Sequence, residues 1–227
     1  PGTYNLTSTG TNDIFVLKLS PDGNLIWAKQ FGNTEEPNSY EQTHFAITLD
    51  NLGAVYITGL FIGIGDFDPG PGVFNLTSTE ASDIYICKLN NNGDLIWAKS
   101  MGGVTGETGI EIALDSANNV YTTGHYGGTA DFDPGTGVFN LTAAGLDDIF
   151  VSKLTGDGSF IWAKSMSGAS IEHSTSLVVD ANENVFVAGH SGDFTQIITT
   201  KYDQDGNLIW ERFFSVQDLG AAATWLS

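Results

Sequence analysis

Short apolar runs alternate with clusters of Gly, Asn, Asp and Ser along the whole chain, and the spacing of an amphipathic helix is absent. Runs such as Val55-Tyr56-Ile57-Thr58 and Ile149-Phe150-Val151 are rich in β-branched and aromatic residues, which favour packed strands. The same four kinds of run recur in the same order. Stretch a is His44–Asp50, Ile110–Asp115 and Ser174–Asp180. Stretch b is Ala54–Gly59, Asn119–Gly124 and Asn184–Gly189. Stretch c is Ile14–Leu19, Ile84–Leu89, Ile149–Leu154 and Ile197–Tyr202. Stretch d surrounds Trp27, Trp97, Trp162 and Trp210.

The recurrence keeps a strict register. Asp50, Asp115 and Asp180 stand 65 residues apart, as do Gly59, Gly124 and Gly189. Self-similarity at a fixed period marks a repeat architecture. The a–b connections are short enough for hairpins. The c–d connections carry Asp/Asn-Gly signals (Asp22-Gly23, Asn92-Gly93, Asp157-Gly158, Asp205-Gly206), a strong short hairpin code. The b–c connection varies: Gly59 to Lys88 and Gly124 to Lys153 each span 29 residues, but Gly189 to Lys201 spans 12. A segment deletable without disturbing either flank reads as a surface loop. Extra residues in Gly32–Gln42 lengthen the first Trp interval to 70.

Four antiparallel strands per unit predict an all-β chain, a β-propeller of about four blades with one incomplete. Residues 1–227 read as one propeller or propeller segment, with units at 1–42 (partial), 43–108, 109–172, 173–220 and 221–227 (partial). Pro1-Gly2 through Thr7 matches Pro134-Gly135 through Thr142, the middle of a unit, so a piece of a longer polypeptide or a processed product is expected. The pattern of Asp, turn and Val-Tyr-x-x-Gly, then Asp-Ile-Phe-Val-x-Lys-Leu, Asp-Gly-Asn and Trp-Ala-Lys, resembles the SBBP β-propeller repeat of secreted bacterial proteins. That resemblance implies a wheel with more blades than this chain supplies, and an extracellular or cell-surface location.

Charge narrows the partners. Eight Lys and Arg stand against 27 Asp and Glu, a net charge of −19. Such a surface repels nucleic-acid backbones and anionic membranes and attracts cations. No apolar run is long enough for a membrane-spanning helix. All eight cations sit at two repeat positions, Lys18, Lys88, Lys153 and Lys201 on c, and Lys29, Lys99, Lys164 and Arg212 on d. They are expected to pair with carboxylates of their own or a neighbouring blade. One cysteine, Cys87, excludes an internal disulfide. It shares a position with Leu17, Ser152 and Thr200, so it reads as a packing slot.

Candidate chemistry is sparse. Asp66, Asp68, Asp131 and Asp133 lie in two Asp-x-Asp-Pro-Gly motifs. Clustered carboxylates in a Gly turn can ligate Ca²⁺, and they can equally cap backbone N–H groups. His125 and His190 hold equivalent positions, without zinc spacing. The c–d turn loosely resembles the sialidase Asp-box, but a lone arginine argues against that chemistry. The recurring tryptophans are expected as wedges between blades. Asn5-Leu-Thr7, Asn75-Leu-Thr77 and Asn140-Leu-Thr142 match a glycosylation acceptor, and their recurrence suggests a turn. The expectation is a non-catalytic extracellular scaffold with protein partners. The alternatives are a filament or surface-layer subunit completed by copies of itself through strand addition, or a propeller that binds or hydrolyses glycans.

Overall fold

A computed structural model describes residues 4–7, 12–34, 45–166 and 171–215, and all of its regular elements are β-strands. His44, most of the Gly32–Gln42 expansion and the expected terminal strand at 221–227 lie outside the described residues. The strands run in chain order: β1 (Asn12–Leu19), β2 (Leu25–Thr34), β3 (Ala46–Leu49), β4 (Val55–Asp66), β5 (Asn75–Leu89), β6 (Leu95–Gly103), β7 (Thr108–Leu114), β8 (Val120–Asp131), β9 (Asn140–Leu154), β10 (Phe160–Met166), β11 (Glu172–Val179), β12 (Val185–Ser191), β13 (Gln196–Tyr202) and β14 (Leu208–Ser215). Antiparallel pairing groups them into a first unit β1–β2, a second β3–β6, a third β7–β10 and a fourth β11–β14.

The repeated residues have local reasons. The Asp50 carboxylate accepts the backbone N–H groups of Leu52 (2.9 Å) and Ala54 (2.8 Å), closing the β3–β4 turn. Asp115 does the same for Ala117 and Asn119, and Asp180 for Asn182 and Asn184. Asx turns of this kind fix a hairpin with one side chain. Gly124 and Gly189 sit where neighbouring strands nearly touch. A Cβ there would come within 1.8 Å of the Thr108 carbonyl oxygen and 2.4 Å of that of His173. Only glycine fits such an approach.

The b–c insertion is not a detachable surface loop. It prolongs two strands into one long hairpin, with pairing carried out to Asp66↔Asn75 and Asp131↔Asn140. Phe67 and Phe132, at the hairpin ends, are fully buried. Phe67 lies 6.0 Å from Phe31 of the first unit, ring centre to ring centre, and 5.1 Å from Tyr85. Phe132 packs on Tyr126 and Phe150. The third unit's hairpin also pairs with the edge of the second through Gly102↔Asp131 and Gly103↔Ala130, which merges those two units into one sheet. The insertion is therefore a brace between units. The fourth unit has only the short turn from Ser191 to Gln196.

The cores lie between units. Val16 and Phe31 of the first unit pack with Tyr85, Cys87 and Leu89 of the second. Ile86, Trp97 and Met101 of the second meet Phe150 and Leu154 of the third. Val151, Trp162 and Met166 of the third meet Ile198 and Tyr202 of the fourth. Each fully buried aliphatic or aromatic side chain contributes about 1.5–3 kcal/mol by leaving water.

Candidate functional site: a recurring joint and two hairpin tips

The cations and tryptophans build one joint, repeated between successive units. Trp27 Nε1 donates to the Asn91 carbonyl of the second unit at 3.1 Å, and Lys18 Nζ donates to the same oxygen at 3.2 Å. Trp97 and Lys88 converge on the Gly156 carbonyl at 3.2 and 3.0 Å. Trp162 and Lys153 converge on the Gln204 carbonyl, both at 3.1 Å. The acceptor always lies in the c–d turn of the next unit. That turn needs glycine because φ is positive at Gly93, Gly158 and Gly206. The bare glycine also seats the preceding unit: a Cβ on Gly206 would stand 2.8 Å from the Trp162 ring and 3.0 Å from the Lys164 side chain. In the second and third units, an aromatic on strand b completes the set. Lys88 lies over Tyr56 and Lys153 over Tyr121, and those tyrosines pack edge-on against Trp97 and Trp162.

This arrangement corrects in part the pairing expected for the lysines. Lys18, Lys88 and Lys153 donate to backbone carbonyls of the next unit, and Lys153 also pairs with a carboxylate of its own unit as expected. Ion pairs among the described residues are Lys153–Asp115 at 3.6 Å and the exposed Lys29–Asp94 at 3.4 Å. A turn carbonyl with free lone pairs and a fixed direction is a better-placed acceptor than a solvated carboxylate.

The Asp-x-Asp-Pro-Gly motifs lie at the tips of the long hairpins. Asp66 Oδ1 accepts from the N–H groups of Asp68 (3.0 Å) and Phe74 (2.8 Å), and Asp68 Oδ1 from that of Gly70 (2.8 Å). Asp131 and Asp133 repeat these contacts with Asp133, Phe139 and Gly135. The carboxylates thus act as turn caps. No group of three or more His, Cys, Asp or Glu side chains poised for a metal occurs among the described residues. Beyond the caps, Val73 and Val138 stand 73% and 72% exposed at equivalent places. Asn75 and Asn140 begin the returning strands β5 and β9, which places their acceptor triplets in paired structure.

The histidines form a row. His125 and His173 stack with ring centres 4.5 Å apart, His190 lies 5.8 Å from His173, and Phe194 stacks on His190 at 4.2 Å. The equivalence of His125 and His190 was visible in the repeat. The insertion of His173 between them was not, because it depends on the cross-strand pairing His173↔His190 and on the offset between units. Cys87 is buried, and burial pushes its thiol far above the ordinary range, which suits packing and not nucleophilic attack.

Two carboxyls escaped the sequence reading. Asp83 and Glu107 are buried against the backbone of Gly102, where a Cβ would lie 2.5 Å from Asp83 Oδ1 and 2.9 Å from Glu107 Oε2. Burial raises Glu107 to about 7 despite hydrogen bonds from the Gly103 N–H (2.9 Å) and the Thr105 hydroxyl (2.8 Å). Burial likewise raises Asp83 to about 6. The repeat held a signal for both. Asp13, Asp83 and Asp148 each precede the c-strand isoleucine, and Glu107 and Glu172 are 65 residues apart.

No family model matches the chain. It is similar to the WD repeat-containing protein L264 of Acanthamoeba polyphaga mimivirus, 27% identical over 135 residues that cover 53% of this chain and 10% of the relative. It is also similar to the regulatory protein FlaEY of Caulobacter vibrioides, 24% identical over 110 residues, 48% of this chain and 12% of the relative. The chain thus spans about a tenth of the length of these relatives.

Proposed function

We propose that the four-stranded units are blades of a β-propeller of the SBBP type, and that the chain is a non-catalytic scaffold for protein–protein contacts in a secreted or surface-exposed bacterial protein. The similarity to a WD repeat-containing protein supports the repeat scaffold. The observation that carries the reading is the division of labour along each unit. Lysines and tryptophans at the repeat positions are spent on holding one unit to the next, while apolar Val73 and Val138 project in register from the hairpin tips. Paired apolar side chains on a rigid support are a docking device. The raised carboxyls Asp83 and Glu107 are closed off from solvent, which disfavours a hydrolytic role.

The test is a photo-crosslinking residue placed at Val73 or Val138 and, as control, at the exposed Leu52, at the opposite end of the second unit. In the producing cells the tip positions should give a discrete protein adduct that Leu52 does not, in the surface or medium fraction. Equal adducts at all three positions, adducts to glycans, or sugar release in a glycosidase assay would overturn the proposal.

A further inference from the structure

The hairpin tips do not stand alone. In the third unit the tip folds back to the start of that unit's own d strand, where the ring centres of Phe139 and Phe160 are 4.8 Å apart. Val138, beside Phe139, is 72% exposed, and Ile161, beside Phe160, is 41% exposed. The second unit repeats the set, with Val73 at 73% and Ile96 at 50%. Its tip is closed by the same bonds: the Phe67 N–H donates to the Phe74 carbonyl at 2.9 Å, as that of Phe132 does to Phe139 at 3.0 Å. Both sets lie inside the described stretch 45–166, away from either end of the chain.

The exposure of these residues is built into the backbone. Lys88 pairs with Trp97 and Leu89 with Leu95, so Ile96 is the extra residue of a β-bulge. Lys153 pairs with Trp162 and Leu154 with Phe160, which leaves Ile161 in the same position. A bulge re-aims a side chain, and here it turns an isoleucine outward twice, one unit apart. The joints between units make their contacts through other side chains, chiefly the lysines, the tryptophans and the buried Phe67 and Phe132.

The charge around the two patches has one sign. No Lys or Arg occurs between Gly59 and Lys88 or between Gly124 and Lys153, whereas Asp66, Asp68, Asp131 and Asp133 stand at the tips. Each of these carboxylates spends Oδ1 on backbone N–H groups. None of the four is in an ion pair among the described residues. Apolar knobs with an acidic rim complement an apolar segment with basic flanks.

We propose that the two patches together dock one extended, basic polypeptide segment of a partner, whose apolar side chains seat on Val73 and Ile96 in one unit and on Val138 and Ile161 in the next, with its Lys or Arg side chains on the tip carboxylates. This rests on the scaffold reading, whose partner it describes. Because the patches recur once per unit, a segment that reaches both gains from engaging the second while held by the first.

The experiment uses the full chain and a synthetic peptide of repeating Leu-Ser-Lys-Ser, about 20 residues long, which spans about 66 Å when extended. Fluorescence anisotropy of the labelled peptide reads binding. One control peptide replaces every Leu by Ser and keeps the charge; another replaces every Lys by Glu and keeps the apolar residues. The parent peptide should bind, and both controls should bind at least roughly tenfold more weakly. Val73→Ser and Val138→Ser should each weaken the parent peptide by roughly tenfold, and the double variant should reduce it to the level of the controls. Leu52→Ser, at a residue 84% exposed outside both patches, should leave binding unchanged. These side chains are solvated, so melting curves should match wild type; Ile96→Ser and Ile161→Ser repeat the test on the other side of each patch. No binding at high micromolar concentration, equal binding of the Leu-free peptide, or a double variant that binds like wild type would overturn the proposal. Discrete tip adducts in cells without peptide binding would leave the scaffold reading standing while removing this one.

Discussion

The third unit and the first are built from one plan but live in different surroundings. Phe150 and Leu154 of the third unit are closed off from water by the second, whereas Phe15 and Leu19 at the same positions lie open. The fourth unit shows the converse. Trp210 and Phe186 hold the geometry of Trp162 and Tyr121, but no turn among the described residues receives them. A repeat of this kind stabilises itself through its neighbours, and a unit face that no described residue covers shows what the joint otherwise buries. Conserving the pattern of a joint therefore does not conserve its energy; the energy appears only where the partner half is present.

The strongest way to break that contrast is to remove the same side chain in both settings. Trp97→Ala deletes a ring that is packed against Tyr56 and hydrogen-bonded to the Gly156 carbonyl. It should cost about 3–5 kcal/mol of unfolding free energy, as large-to-alanine changes in packed cores do. Trp210→Ala should cost roughly 1 kcal/mol, since its ring loses little packing. Urea titration followed by circular dichroism measures both. Equal losses would mean that the fourth unit is covered as fully as the second.

The contrast was only partly legible in the residues. The strands of each unit could be read because β-branched runs alternate with Asp and Gly turns, and each described strand overlaps one of those runs. The insertion was misread because Asp66 through Gly72 is dense in turn residues. The Leu60–Ile64 stretch before it continues a strand, and Phe67 pays no visible tribute to its burial until Phe31 of the neighbouring unit is in place. The lysines were assigned to carboxylates because sequence shows charges but not the direction of a turn carbonyl. The tryptophan wedges were legible, since a large apolar ring repeated once per unit has few other places to go. The cation site expected from the acidic motifs was the least decidable, because the same Asp spacing serves a turn and a metal equally well.

A subtler contrast lies between buried and exposed carboxylates. Asp83 and Glu107, at the contact between the second and third units, are raised by burial from 3.8 to about 6 and from 4.5 to about 7. The folded protein therefore holds protons that the unfolded chain releases between about pH 4 and 7. Their contribution is most favourable at the acid end of that window and is lost as pH rises through the folded values. Asp180 and Asp203 behave oppositely. Hydrogen bonds from Asn184 and Asn207 hold them below the ordinary range, so their stabilisation is present above the unfolded value and lost in strong acid. Lowering the pH from 8 to 5 should thus raise the melting midpoint. Glu107→Gln should be more stable than wild type at pH 8, by about 2 kcal/mol, and should flatten the slope. A wild-type midpoint that falls steadily over that range would place the two carboxyls in solvent.

The smallest effect is expected at the hairpin tips. Asp66 and Asp131 each already accept two backbone N–H groups through one oxygen, so the turns are closed by the protein itself. A bound Ca²⁺ needs six or more oxygens, and a site that depends on the ion gives a melting midpoint that follows its free concentration. Melting with excess chelator and with added Ca²⁺ should therefore coincide within error. Replacing Asp66 by Asn, which keeps an accepting oxygen but halves the carboxylate's lone pairs, should be nearly neutral in both conditions. A chelator-induced drop of several degrees that Asp66→Asn and Asp131→Asn together abolish would show instead that the tips are held by calcium, and that hairpin order, unlike joint order, comes from outside the chain.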